Sequence, residues 1–161
     1  MAGNITIRPA LPQEMPQVLG FIRELAVYER LEQEVLASEA DLSAALFGPR
    51  PYAEVVFACR DDVPVGFALF FHSFSTFRGK PGIYLEDLFV RPEARGHGVG
   101  KRLLAWLAAA ALERGCARLE WAVLDWNEPA LGFYRSLGAV AQDEWTTWRL
   151  TDAALQRLAR G

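Results

Sequence analysis

Cysteine and histidine are scarce, two of each in 161 residues. Cys59 and Cys116 stand far apart in apolar segments with no CxxC pair, so they read as buried, reduced thiols and not as a disulfide or metal framework. His72 and His97 are too isolated to build a metal site, and no metal is expected. An excess of one charge sign is also missing. The net charge of −3 argues against a nucleic-acid partner, whose phosphates would call for clustered basic residues. The longest apolar run, Leu103 to Leu112, is too short to span a bilayer, so no membrane partner is expected. The start, MAGNITIRPALPQ, lacks the basic and then apolar segments of a secretory leader, which makes a cytoplasmic location the default. What is present is a globular composition, 52% hydrophobic and 23% charged. The length fits one domain over residues 1–161 that can bury a core without staples.

Hydrophobic periodicity alternates between strand and helix along the chain. Ile5–Pro9 alternates as a first strand and is stopped by Pro9 and Pro12. Met15, Val18, Leu19, Ile22, Leu25 and Ala26 then recur at helical spacing up to Tyr28-Glu29, with Phe21 and Tyr28 off the main face and able to line a groove. Ser38 and Asp41 form a capping box for a second helix that stops near Gly48. Glu54–Arg60 and Val65–Phe71 read as a hairpin around Asp61-Asp62-Val63-Pro64. A polar loop, Ser73 to Gly82, leads to a strand Ile83–Val90. A helix follows from Val99 to Arg114, stopped by Gly115. Arg118–Leu124 reads as a strand, and Asn127 caps a helix that runs to Leu137. Trp145–Leu150 reads as a late strand before a terminal helix at Thr151-Asp152. The pattern predicts one α/β (or α+β) domain on a mixed sheet.

The segment Arg95-Gly96-His97-Gly98-Val99-Gly100 lies between the strand and the long helix. Three alternate glycines at a helix start each cost up to about 1 kcal/mol against alanine. They allow backbone N–H groups to approach an anion closely, and the helix start adds partial positive charge. Arg95, Lys101 and Arg102 add more, so a diphosphate is the natural guest. A P-loop would need Ser or Thr where Arg102 stands and glycine where Arg95 stands. A dinucleotide fingerprint needs GxGxxG, whereas Gly96, Gly98 and Gly100 make GxGxG. A plain tight turn is the structural alternative.

Arg95, Gly98 and Gly100 fill the Arg/Gln-x-x-Gly-x-Gly/Ala signature of the GNAT acetyltransferase superfamily. The upstream block Tyr84-Leu85-Glu86-Asp87-Leu88-Phe89-Val90-Arg91-Pro92 resembles that superfamily in order and spacing. So do Trp126-Asn127-Glu128-Pro129-Ala130 and Phe133-Tyr134-Arg135-Ser136-Leu137-Gly138-Ala139. Glu24-Leu25-Ala26-Val27-Tyr28-Glu29, followed by Glu39-Ala40-Asp41-Leu42, resembles its diamine (spermidine/spermine) and thialysine N-acetyltransferase branch. The resemblance covers nearly the whole chain. It implies a mixed, mostly antiparallel central sheet with a splayed strand pair, acetyl-CoA as cosubstrate, a small amine as acceptor, and a homodimer.

It also implies roles. The backbone of Leu88, Phe89 and Val90 pairs with the pantetheine arm. Arg95, Gly96, His97, Gly98, Val99, Gly100 and Lys101 take the diphosphate. Asn127, Glu128, Pro129 and Ala130 line the other side, and Tyr134 stands beside the sulfur. A lysine-like amine with pKa near 10.4 lies about 3.4 units from neutrality at pH 7, roughly 4.6 kcal/mol, and a carboxylate at the end of the central strand could take its proton directly or through water. The branch places its proposed base at Glu86, and a phenol such as Tyr134 can protonate the departing thiolate. Asp87 points to the other face of a regular strand, so the two carboxylates cannot serve equally unless a bulge intervenes, and Asp87 takes a lesser, substrate-side role. Tyr28 and Glu29 match the branch's substrate side.

Thr76 and Thr146 stand where polyamine-acetylating relatives carry acids, with Asp143 and Glu144 nearby. The departure favours a short diamine or a lysine-like amino acid. Phe74, Phe77, Trp145 and Trp148 can meet a cation face-on, pack in the core, or form a dimer interface. A peptide acceptor, an acyl-CoA sensor without turnover and a nucleotide-binding module are the alternatives.

Overall fold

The computed structural model describes residues 3–161; Met1 and Ala2, part of the start read for a leader, lie outside it. By its internal contacts the chain divides into a unit reaching to Ala122 and a smaller one from Val123 to Gly161. The first unit is built on a five-stranded sheet in the order β1-β2-β3-β4-β5, formed by Ile5–Pro9, Glu54–Arg60, Val63–Ser75, Lys80–Val90 and Leu119–Trp121. β1 to β4 pair antiparallel, and β5 joins β4 in parallel, so the sheet is mixed and mostly antiparallel, as expected.

Helices cover both faces of the sheet. On one face lie α1 (Met15–Tyr28) and α2 (Glu39–Phe47). Met15, Val18, Phe21, Leu25, Leu42 and Leu46 bury themselves there against Val55, Phe57, Cys59, Phe67 and Phe89. α2 opens on its capping box: Ser38 Oγ accepts from the Asp41 amide at 3.1 Å, and Asp41 Oδ2 accepts from the Ser38 amide at 2.9 Å. On the other face α3 (Val99–Glu113) packs against β1, β3 and β4 with Val99, Leu103 and Leu107 buried. Its Trp106 ring meets Phe70 edge-on, centroids 6.0 Å apart.

Several elements differ from the sequence expectation. Phe21 lines no groove. It is fully buried, stacked on Phe67 with centroids 5.4 Å apart, because residues 18, 21 and 25 also share a helical face and widen the apolar stripe of α1. The β2–β3 turn is only Asp61-Asp62, both at positive φ (50° and 68°), as two-residue hairpins require. The polar loop between β3 and β4 is shorter than expected, since pairing continues to Ser75 opposite Lys80. β5 is likewise only Leu119–Trp121 of the expected Arg118–Leu124. Cys59 is buried but Cys116 is only half-buried, both as free thiols.

The second unit contains α4 (Glu128–Ser136) and α5 (Asp152–Ala159). Asn127 caps α4, its Oδ1 accepting from the Ala130 amide at 3.4 Å, and Gly138 at φ 90° follows the helix end. Trp145–Leu150 is not a strand; it runs as irregular chain with Trp145 and Trp148 exposed. Strand propensity reports packing on a pleated, half-buried surface, and these rings have none.

Candidate active site

β4 has two unlike halves. Ile83, Tyr84 and Leu85 pair with β3 on one side and with Leu119, Glu120 and Trp121 of β5 on the other. Beyond Leu85 the pairing with β5 ends, and Asp87 to Val90 pair with β3 alone. The end of that pairing leaves the other edge of β4, which carries the N–H and C=O groups of Leu88 and Val90, without a strand partner and able to take an extended guest. The Arg91 amide donates to the Val65 carbonyl, so Phe89, two residues back, also turns its N–H and C=O toward β3, and its side chain belongs to the α1-side core.

The chain after β4 turns through Pro92–Ala94 to Arg95, whose Nε donates back to the Val90 carbonyl at 2.8 Å. Gly96 (φ 81°) and Gly98 (φ 75°) adopt the left-handed conformation that a side chain disfavours. Gly98 is also the N-cap of α3. The Arg102 amide donates to the Gly98 carbonyl at 3.0 Å, so the amides of Val99, Gly100 and Lys101 precede the first helical hydrogen bond and point out of the helix start. Gly100 is different: a Cβ there would meet only Val90 Cγ2, at 3.9 Å. His97 and Lys101 are exposed, while Val99 is buried and anchors the turn.

The other end of this half of β4 begins at a β-bulge. Leu69 of β3 lies opposite Asp87 and the next residue, Phe70, opposite Leu85, so Glu86 is the extra residue. Phe70 and its partner Leu85 belong to the α3 face; Leu69 packs against the α1-side core, and Asp87 is its partner. A regular strand would keep Leu85 and Asp87 on one face. The bulge turns Asp87 toward α1 and leaves Glu86 exposed.

Burial pushes the Asp87 carboxyl up to about 6, with the negative charges of Glu86 and Glu29 adding to the effect. Burial also raises Glu29 at the C-terminal end of α1. Tyr28 next to it is exposed, with the Arg95 guanidinium 5.2 Å from its ring centroid.

Glu86 and Asp87 are thus neighbours on β4, and the charges of Glu86 and Glu29 both act on Asp87 within the first unit. In the second, Glu128, Pro129 and Ala130 form the first turn of α4, and Tyr134 lies half-buried on the same helix, its ring 5.6 Å from that of Phe133. Sequence reasoning missed where the bulge falls, since no glycine or proline marks it. It also missed Arg91, whose contacts with α1 are described below. Thr76 and Thr146 are exposed. Phe74, Phe77, Trp145 and Trp148 are exposed as well, which excludes core packing for them. Among the described residues, no cluster of three or more His, Cys, Asp or Glu side chains is placed to hold a metal, and no helix is long and apolar enough to cross a membrane.

Residues 19–139 match the model of the acetyltransferase (GNAT) family, and the chain belongs to that family. It is an enzyme of acetyl transfer. It is similar to the thialysine N-epsilon-acetyltransferase of Bos taurus, at 39% identity over 96% of this chain and 97% of the relative. An L-ornithine N5-acetyltransferase of Arabidopsis thaliana is 32% identical, over 94% of this chain and 86% of that one. Among solved structures, an integron cassette protein from the mobile metagenome of V. cholerae superposes with a TM-score of 0.81 at 30% identity, covering 100% of this chain and 99% of that one. A soil-metagenome aminoglycoside acetyltransferase superposes with a TM-score of 0.76 over 91% of this chain and 95% of that one; at 20% identity it speaks for the fold alone.

Proposed function

We propose that this protein transfers the acetyl group of acetyl-CoA to the terminal primary amine of a small cation, with a lysine- or ornithine-like amino acid or a short diamine preferred over long polyamines. The observation that carries this reading is the carboxylate group Glu29, Glu86 and Asp87 beside the open edge of β4. Negative charge concentrated there attracts an ammonium group, and the names of the thialysine and ornithine relatives point to the same acceptor size. The left-handed Gly96 and Gly98 and the outward amides of α3 suit a diphosphate, and the open edge of β4 suits a pantetheine arm.

In the proposed mechanism the ammonium gives up a proton to Glu86, directly or through one water. The freed nitrogen lone pair attacks the thioester carbonyl, the carbon–sulfur bond breaks as the amide forms, the Tyr134 hydroxyl protonates the departing thiolate, and the second proton shed by the nitrogen restores the phenol through solvent. Asp87, Glu29 and Tyr28 hold the remainder of the acceptor. Asn127, Glu128, Pro129 and Ala130 line the donor's other side. A cytoplasmic homodimer belongs to the same reading, and the exposed Phe74 and Phe77 offer apolar surface for a second copy; light scattering reads the mass directly.

The test is consumption of acetyl-CoA against thialysine, L-lysine, L-ornithine, putrescine, spermidine and lysine-containing peptides. Turnover of the amino acids or putrescine well above spermidine is expected. Turnover of peptides alone overturns the small-acceptor reading, and binding of acetyl-CoA with no turnover of any amine leaves a sensor.

A further inference from the structure

One face of α1 is tied to the segment that leads into the glycine turn. Phe21, Glu24 and Tyr28 follow one another at helical spacing, and each meets an arginine from that segment. Arg91, the first residue after β4, is held on several sides. Its Nε and Nη2 donate to the Glu24 carboxylate at 3.2–3.4 Å, and its Nη1 donates to the Pro64 carbonyl at 3.3 Å. Its guanidinium carbon lies 4.6 Å from the Phe21 ring centroid. Its amide donates to the Val65 carbonyl at 2.9 Å. The buried Ala94 fixes the short turn between the two arginines.

Arg95 is held more lightly. It is exposed, with its guanidinium carbon 5.2 Å from the Tyr28 ring centroid and 5.4 Å from that of Phe89, and its Nε hydrogen-bonded to Val90. It directly precedes Gly96. Tyr28 directly precedes Glu29, whose charge acts on Asp87.

We propose that Arg95, with Arg91 as its fixed anchor, is a positioning residue through which occupancy of the glycine turn orders the C-terminal end of α1 and tightens binding of the acceptor amine. The acceptor half of the inference rests on the proposed function; the coupling itself does not. A ligand that fixes Gly96 to Lys101 also fixes the stem of Arg95, and the planar cation then holds the Tyr28 ring. The ordering of Glu29 is thereby achieved before the amine arrives, which is positive cooperativity without a large movement. Lysine at position 95 keeps the positive charge but lacks the planar guanidinium that lies over the Tyr28 and Phe89 rings and the Nε donor to Val90. Arg95→Lys therefore separates coupling from charge.

Two measurements test this. Hydrogen exchange is read first, with CoA alone. The amides of Glu29 and Leu31, which donate to Leu25 and Ala26, should exchange about fivefold or more slowly with CoA in the wild type, and by less than twofold in Arg95→Lys and Tyr28→Leu. Equal protection in wild type and Arg95→Lys, or none in the wild type, overturns the coupling whatever the acceptor is. The second is calorimetry of the amine turned over best in the acceptor panel, with and without saturating CoA. At least about fivefold tighter binding with CoA is expected in the wild type, falling to within twofold in Arg95→Lys. Turnover combined with equal affinities in the wild type overturns the link to the acceptor while leaving the proposed reaction standing. Absence of turnover with every amine overturns the proposed reaction and this link together, and the exchange result still decides the coupling.

Discussion

The two ends of the open half of β4 are both departures from regular backbone, made by opposite means. At the donor end, Gly96 and Gly98 give up side chains so that the chain can turn left-handed and aim amides outward, and the neighbouring charge is basic and exposed. At the acceptor end the bulge at Glu86 keeps its side chains and redirects them, and the charge is acidic and partly buried. The proposed reaction pairs a cationic acceptor with an anionic donor, which need opposite fields, here at the bulge in β4 and at the turn that follows the strand. Placing an irregularity at each end lets the strand between them stay paired with β3 and rigid. In the proposed reaction the donor end would work through backbone and tolerate exposure, whereas the acceptor end would work through carboxylates whose properties depend on how water is excluded.

The sharpest break of this comparison removes the proton path and leaves the donor turn untouched. Glu86→Gln should lower kcat/KM by about a hundredfold or more, with part of the loss recovered as pH rises toward the pKa of the amine. Tyr134→Phe should slow transfer to a similar degree with CoA affinity nearly intact. Stopped-time assays across pH, paired with calorimetry of CoA binding, read both effects. A pH–rate profile for Glu86→Gln that parallels wild type would remove that residue from proton transfer.

A smaller effect sharpens the acceptor end as a site of buried charge. The Asp87 carboxyl is raised from an ordinary 3.8 to about 6, first by burial and then by Glu86 and Glu29. The folded state binds this proton more tightly than the unfolded chain does. The stabilising contribution is therefore fully present below about 3.8 and lost as pH rises through about 6, and its size is at most about 3 kcal/mol. Asp87→Asn should accordingly be more stable than wild type at pH 8, with the gap closing below pH 4. Urea midpoints at the two pH values decide it; equal gaps at both would mean that Asp87 is not buried as a charge.

The donor end was legible in the sequence because glycine is conspicuous. Its spacing excluded two nucleotide motifs and matched a third, and the structure places Gly98 at the helix start. The acceptor end was legible only as a set of residues. Glu86 and Asp87 stood out as carboxylates, but which of them faces α1 depends on a register shift against β3, and neither residue marks a bulge by type. The same limit explains Phe21. Its position relative to a single apolar stripe suggested a groove, while Phe57 and Phe67, distant in sequence, make it core. Trp145–Leu150 failed for the converse reason: strand-like composition without a partner is not a strand.

The smallest effect separates two glycines of the same turn. Gly98 sits at φ 75°, where alanine costs about 1–2 kcal/mol. Gly98→Ala should lower stability by that amount and weaken CoA binding several-fold, because the amides of Val99 and Gly100 lose their aim. Gly100 lies inside α3 with space for a methyl group, 3.9 Å from Val90 Cγ2, and alanine is the better helix former. Gly100→Ala should leave CoA affinity within about twofold and raise stability by a few tenths of a kcal/mol up to about 1. Denaturant melts and CoA titrations of the two variants run side by side test the pair. If Gly100→Ala damages CoA binding as much as Gly98→Ala does, the third glycine is needed for close approach of the diphosphate, and the donor end depends on side-chain absence at more positions than backbone angle alone requires.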